Sequence, residues 1–175
     1  MKTQTFILKN HDQKQEKSRI KVEASIEIKE KEIIVTYEIR GELKNYIFNK
    51  AENKKRANEL WRATCFELFI APENSSNYWE FNISPTKAWN FYAFDSYKKS
   101  MREELLPSSP HIEIREEEML YRCACSLSFR LKEKYYQFNL AVILLDNKDI
   151  RHFYTIYRKK GVADFHNRAY FYHKS

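Results

Sequence analysis

The sequence predicts an all-β protein with little helix, built as an antiparallel sandwich or barrel. Three observations carry that expectation. Apolar and polar residues alternate strictly at Ile20, Val22, Ala24, Ile26 and Ile28, and again at Ile33, Val35, Tyr37 and Ile39, the period of strands with one buried face. Roughly ten short runs of this kind follow one another at the spacing of antiparallel meanders. The chain also has only two glycines and 15% aromatic residues, a composition that argues against a disordered or repetitive polymer.

In chain order, Thr5–Leu8 reads as a short edge strand and His11 to Arg19 as a charged loop. The two alternating runs form a hairpin turned at Lys29–Glu32 and stopped by Gly41. Tyr46–Phe48 is a third short run, and Lys50–Glu59 is a charged loop or short helix. Leu60 to Phe94 then holds all three tryptophans and three apolar runs, broken at Glu73–Asn77 and at Thr86–Lys87, so a three-stranded meander is predicted. Ser96–Leu106 is the one stretch that suggests a helical turn or two, ended by Pro107 and Pro110. Ile112–Ile114 and Leu120–Phe129 flank an acidic turn at Glu116–Glu118, and Tyr136–Leu145 is apolar enough to be buried on both faces. His152–Tyr157, a basic loop at Arg158–Ala163 and a last strand near Ala169–Tyr172 complete the chain. With 175 residues, a single domain over 1–175 has enough chain for its own core.

The net charge of +7 is unevenly placed: residues 1–60 carry +4, 61–120 carry −4 and 121–175 carry +7. A face built for polyanions would join aromatics to positive charge, whereas the most aromatic segment here is acidic. Nucleic acid is therefore disfavoured as the main ligand. No run reaches the length of a membrane span, and Met1–Asn10 lacks the apolar core of an export signal, which predicts a cytoplasmic protein with no membrane partner. Three cysteines agree with a reducing compartment.

Alternation sorts the meander into faces. Phe66, Leu68 and Ile70 share one face with Trp79, Phe81 and Ile83, while Cys65, Glu67, Tyr78, Glu80 and Asn82 share the other. With a hairpin loop at Ala71–Ser76, Glu67 and Glu80 stand directly opposite, their Cβ atoms about 4.5–5.5 Å apart; a two-residue slip makes them diagonal neighbours on the same face. Paired carboxylates repel unless a cation or donor intervenes, and Arg62 and Arg102 are the nearest candidates in sequence.

Leu60-Trp61-Arg62-Ala63-Thr64-Cys65-Phe66-Glu67-Leu68-Phe69 followed by Tyr78-Trp79-Glu80-Phe81-Asn82-Ile83-Ser84-Pro85 resembles the bacterial DOMON-like domains, which are related to the family 9 carbohydrate-binding modules. A second match joins His152-Phe153-Tyr154-Thr155-Ile156 to Ala163-Asp164-Phe165-His166, with Ala163 where the family usually has proline. The resemblance implies a β-sandwich of jelly-roll type and a sugar-binding role.

The paired carboxylates admit three chemistries beyond an ordinary Glu–Arg network. They can accept hydrogen bonds from sugar hydroxyls, they could hold a calcium ion, or they could act as acid and nucleophile in glycoside cleavage. The reading adopted is a non-catalytic module that binds a carbohydrate or similar hydroxylated small molecule, with no obligatory cofactor. Its candidate ligand-binding residues are Trp61, Arg62, Glu67, Glu80, Asn82, Asn90, Tyr92, Arg102, Asp164 and His166. The alternatives are a glycoside hydrolase using Glu67 and Glu80, and a haem- or redox-binding sandwich using Met101 or Met119 with a histidine. Trp79 and Trp89 fall on the core face, and Cys123 and Cys125 read as buried small side chains.

Overall fold

A computed structural model describes residues 2–12, 19–133, 135–158 and 161–173. Most of the predicted loop between His11 and Arg19, and part of the basic loop after Arg158, lie outside the described residues. Twelve strands are described: β1 (Gln4–Asn10), β2 (Ile20–Ile28), β3 (Glu32–Gly41), β4 (Cys65–Pro72), β5 (Tyr78–Ile83), β6 (Trp89–Phe94), β7 (Arg102–Glu103), β8 (His111–Glu117), β9 (Leu120–Ser128), β10 (Tyr136–Leu145), β11 (Arg151–Thr155) and β12 (Tyr172–His173). Among the described residues, helix is confined to short 3-10 turns at Leu43–Asn45, Leu60–Arg62 and Arg168–Tyr170.

Strand pairing is antiparallel throughout and runs β7-β6-β5-β4-β10-β11-β1-β2-β3-β9-β8, with β12 added beside β10. This path folds over as a sandwich, one sheet holding β2, β3, β8 and β9 and the other β4 to β7, β10, β11 and β12. β1 joins them, pairing Gln4–Leu8 with β2 and Lys9–Asn10 with β11. The expected edge strand is thus an internal corner, because a short apolar run does not reveal that its two halves hydrogen-bond to different sheets.

The inter-sheet core follows from the alternation. Val22, Ala24, Ile26, Ile33, Val35 and Tyr37 meet Phe66, Leu68, Ile70, Phe81, Phe138 and Leu140. β10 is paired on both edges, by β4 on one side and by β11 and β12 on the other, so it is buried along nearly its whole length. The Tyr37 hydroxyl donates across the core to the Glu67 carbonyl at 2.7 Å, tying the two sheets together. Gly41 ends β3 at φ 124°, and a Cβ placed there would come within 2.1 Å of the Arg19 carbonyl oxygen. Only glycine fits that approach.

Two further expectations are corrected. Ser96–Leu106 contains no helix: Lys98 and Ser100 take positive φ values of 54° and 57°, and the segment folds as a tight turn into β7. Ala169–Tyr172 is mainly a 3-10 turn, with only Tyr172–His173 reaching the sheet.

Candidate functional site

The outer face of the β4–β5–β6–β10 sheet is not open to solvent. A second apolar cluster there gathers Cys65, Phe69, Tyr78, Tyr92, Phe94, Ile143, Phe165 and Phe171, with Trp61 and Phe153 packed on it. The chain after Gly161 folds over this face and is held by Arg168. Its guanidinium donates to the Pro72 and Ser75 carbonyls at 3.0 Å each and to the Gln137 side chain at 2.9 Å. Asn167 caps the 3-10 turn through the Ala169 N–H. This cover seats Phe165 against Phe69 and Phe153, and His166 against Phe69, Tyr78 and Phe94.

Between the cover, the Leu60–Arg62 turn and the 95–101 turn lies a cavity of about 240 Å³. Its walls are Trp61, Phe69, Phe153 and Phe165, its polar groups are Glu67, Glu80, Asp164 and His166, and Lys98, Met101 and Arg151 stand at its rim. Glu67 and Glu80 are only 2% and 4% exposed. The hairpin register pairs Glu67 with Asn82 and Phe69 with Glu80, so the two acids are diagonal and not directly opposite. Alternation fixes the face but is blind to a two-residue slip, which is the register the hairpin adopts.

Among the described residues, no ion pair is seen between either acid and Arg62 or Arg102. Arg62 pairs with Glu59 at 2.6 Å and Arg102 with Asp95 at 2.7 Å, both on the surface, so the predicted network of the acids with these arginines does not form. Sequence proximity failed because each arginine has a closer surface carboxylate and would lose hydration by turning inward. Instead Asn82 donates from Nδ2 to the Glu80 carboxyl at 2.7 Å, and its Oδ1 is buried without a partner among the described residues. The Cys65 thiol, on the same face, donates to the Phe66 carbonyl at 3.9 Å.

Burial is the main force on this pair. It raises Glu80 to about 7, against the opposing pulls of the Asn82 hydrogen bond and Lys98. Burial, joined by repulsion from Glu80, holds Glu67 well above the ordinary carboxylate range. At neutral pH the pair therefore retains a proton. His166 is affected in the opposite sense: desolvation and nearby Lys98 lower it to about 4, so it is neutral. Its Nε2 lies 3.7 Å from Glu80, which at neutral pH is proximity and not an ion pair. The Tyr78 hydroxyl accepts the Lys98 backbone N–H at 3.1 Å and lies 2.7 Å from His166 Nδ1. Donation from that hydroxyl to Nδ1 leaves the ring hydrogen on Nε2, facing Glu80.

Asp164 closes the rim. Burial works against its ionisation, but the Tyr97 hydroxyl and the Lys98 ammonium at 2.9 Å outweigh it and keep the carboxyl below its usual range. The predicted residues Asn90 and Tyr92 lie outside the cavity lining, although Tyr92 is the direct cross-strand neighbour of Glu80 and Asn90 that of Asn82. Asn90 is wholly buried and binds Tyr92, Asn58 and Glu103 at 2.9 Å each, which makes it a support for the 56–59 loop. Tyr92 shares that support, yet also lines an adjacent hollow with Trp61, Met101 and Arg102. Trp61 stands between the two hollows and meets Tyr92 edge-on at 6.0 Å. Met119 lies at the β8–β9 turn, in the opposite sheet. Among the described residues, no three His, Cys, Asp or Glu side chains converge as a metal site.

Sequence reasoning missed Phe69, Lys98, Arg151, Phe153 and Arg168. Phe153 and Phe165 were within the quoted resemblance, but Lys98 and Arg168 look like any surface cation, and only the tertiary fold brings them to this face.

Fold and site together define a β-sandwich whose outer sheet face carries buried acids beneath an aromatic-walled cavity. No protein-family model matches the sequence, and no curated protein aligns with it. Among solved structures, a candidate carbohydrate-binding protein from Bacteroides uniformis ATCC 8492 superposes with a TM-score of 0.65 at 13% identity, over 96% of this chain and 84% of that one. A family 9 carbohydrate-binding module from Caldicellulosiruptor kristjanssonii in complex with cellotriose superposes at 0.54 and 10% identity, over 91% of this chain and 75% of that one. The module from the same organism in complex with glucose gives 0.51 and 12%, over 89% and 75%. At these identities the likeness establishes the fold.

Proposed function

We propose that this chain is a non-catalytic, DOMON-like module that binds a carbohydrate or similarly hydroxylated small molecule in the cavity over its outer sheet face. The observation that carries the reading is the meeting of buried polar groups with aromatic walls. Glu67, Glu80 and His166 lie within a cavity walled by Trp61, Phe69 and Phe153. Sugars present hydroxyls at their edges and apolar C–H faces, and that surface suits polar groups set among flat rings. The carbohydrate ligands of the structural neighbours from Caldicellulosiruptor kristjanssonii support the same reading. So does the adjoining hollow, which lets a ligand longer than one ring continue past Trp61.

Calorimetric titration with glucose and cellotriose tests it. Saturable binding is expected, and Trp61→Ala should weaken it by roughly tenfold, equivalent to about 1.4 kcal/mol. Trp61 is a half-buried rim residue, so the substitution should leave folding intact. No binding of either sugar, or binding untouched by Trp61→Ala, would remove the cavity from consideration.

A further inference from the structure

The cavity presents acceptors with no cation to meet them. Glu67 and Glu80 are 2% and 4% exposed, both line the cavity, and among the described residues no lysine or arginine pairs with either. The nearest ammonium, on Lys98, is engaged by Asp164 at 2.9 Å. Beside the acids, wholly buried Asn82 leaves its Oδ1 unpartnered among the described residues. Glu67 is its direct cross-strand neighbour, and Glu80 lies two residues away on the same face. A buried acceptor is costly without a donor; Asn82 Oδ1 has none among the described residues, and the two carboxyls beside it share only the Asn82 amide at 2.7 Å and the more distant His166 ring. The missing group has several donors and positive charge.

We propose that this site recognises its ligand through a protonated primary amine, which on the carbohydrate reading above makes the ligand an amino sugar. An ammonium carries three N–H donors, enough to reach both carboxyls, which line the cavity. The aromatic walls Trp61, Phe69 and Phe153 favour an organic cation over a metal, since ring faces attract cations whereas calcium requires six to eight oxygens. Entry of the amine ionises the carboxyl pair, and the displaced proton leaves to solvent.

Calorimetry at mildly acidic pH, where the amine is protonated, tests this with glucosamine, N-acetylglucosamine, glucose, methylammonium chloride and calcium chloride. Glucosamine should bind on the order of tenfold to hundredfold more tightly than glucose or N-acetylglucosamine, the range that charged hydrogen bonds supply. Its heat should vary with the ionisation enthalpy of the buffer, reporting proton release. Glu80→Gln and Glu67→Gln, each checked for folding by thermal unfolding, should bring glucosamine down to the level of glucose. Equal binding of glucose and glucosamine would overturn the amine inference and leave the carbohydrate reading standing. Binding of methylammonium without any sugar would keep the amine site and overturn the carbohydrate reading. Failure of every probe would overturn both. Calcium displacing glucosamine would overturn the amine inference in favour of a metal.

Discussion

At Glu80 the balance of burial against pairing sets how stability responds to pH. Its folded value of about 7 lies above its ordinary 4.5, so its contribution is fully present below 4.5 and is lost as pH rises through 7. His166 runs the other way: its folded value of about 4 lies below 6.5, so its contribution is present above 6.5 and is lost as pH falls through 4. The two oppose each other in the window between 4.5 and 6.5. Above that window the carboxyls act alone. Stability should therefore stay nearly flat across that window and decline above it, by about 0.7 kcal/mol as Glu80 finishes ionising near pH 7, with Glu67 extending the fall. Glu80→Gln keeps the acceptor that Asn82 uses and removes the charge, so it should uncover the rise in stability that His166 contributes between pH 4.5 and 6.5 and cost little at neutral pH. Thermal unfolding across pH checks this. A loss of about 3–5 kcal/mol at neutral pH would instead mark a buried ion pair broken by the change.

Among the elements, the hairpin of β4 and β5 shows what the sequence reveals and what it conceals. A slip of one residue would turn Phe66 and Leu68 outward and Glu67 into the core, so the pattern fixes the face; a slip of two preserves every facing, so the register was not legible. The turn at 95–101 was misread for a related reason, since lysine and serine give no sign that Lys98 and Ser100 will take positive φ. The strands themselves were legible because each carries its own alternation, whereas the cover over the site depends on Arg168 reaching carbonyls more than ninety residues away. Arg168→Ala should accordingly accelerate amide exchange in the segment 161–171 and cost on the order of 2 kcal/mol, with β2 and β3 still protected. Unchanged exchange there would show that the apolar contacts of Phe165 and Phe171 suffice. At the other end of the fold, Gly41→Ala should cost about 1 kcal/mol or more in denaturant unfolding, since the added Cβ meets fixed backbone; an unchanged midpoint would contradict the close approach.

For the molecule as a whole, two sheets enclose one core while the chain's acidic middle third supplies the outer face with its buried carboxyls. Cys65, Cys123 and Cys125 are free and buried, and desolvation raises all three thiols. Titration with a thiol reagent should find three in the denatured, unreduced protein and almost none reacting promptly in the native one; fewer than three after denaturation would contradict free cysteines. The groove at the far end of the sandwich, lined by Trp79, Phe129 and Tyr135, is the natural competitor to the cavity over the outer face. The three tryptophans separate these sites, because Trp61 borders the cavity, Trp79 borders the competing groove and Trp89 is 6% exposed in the core. The most direct measurement is an NMR titration with glucose and glucosamine that follows the three indole N–H signals. A saturable shift of the Trp61 signal, with Trp79 and Trp89 unmoved, is the predicted result; a shift confined to Trp79, or none at all, would contradict the assignment of the binding site to Glu67, Glu80 and His166.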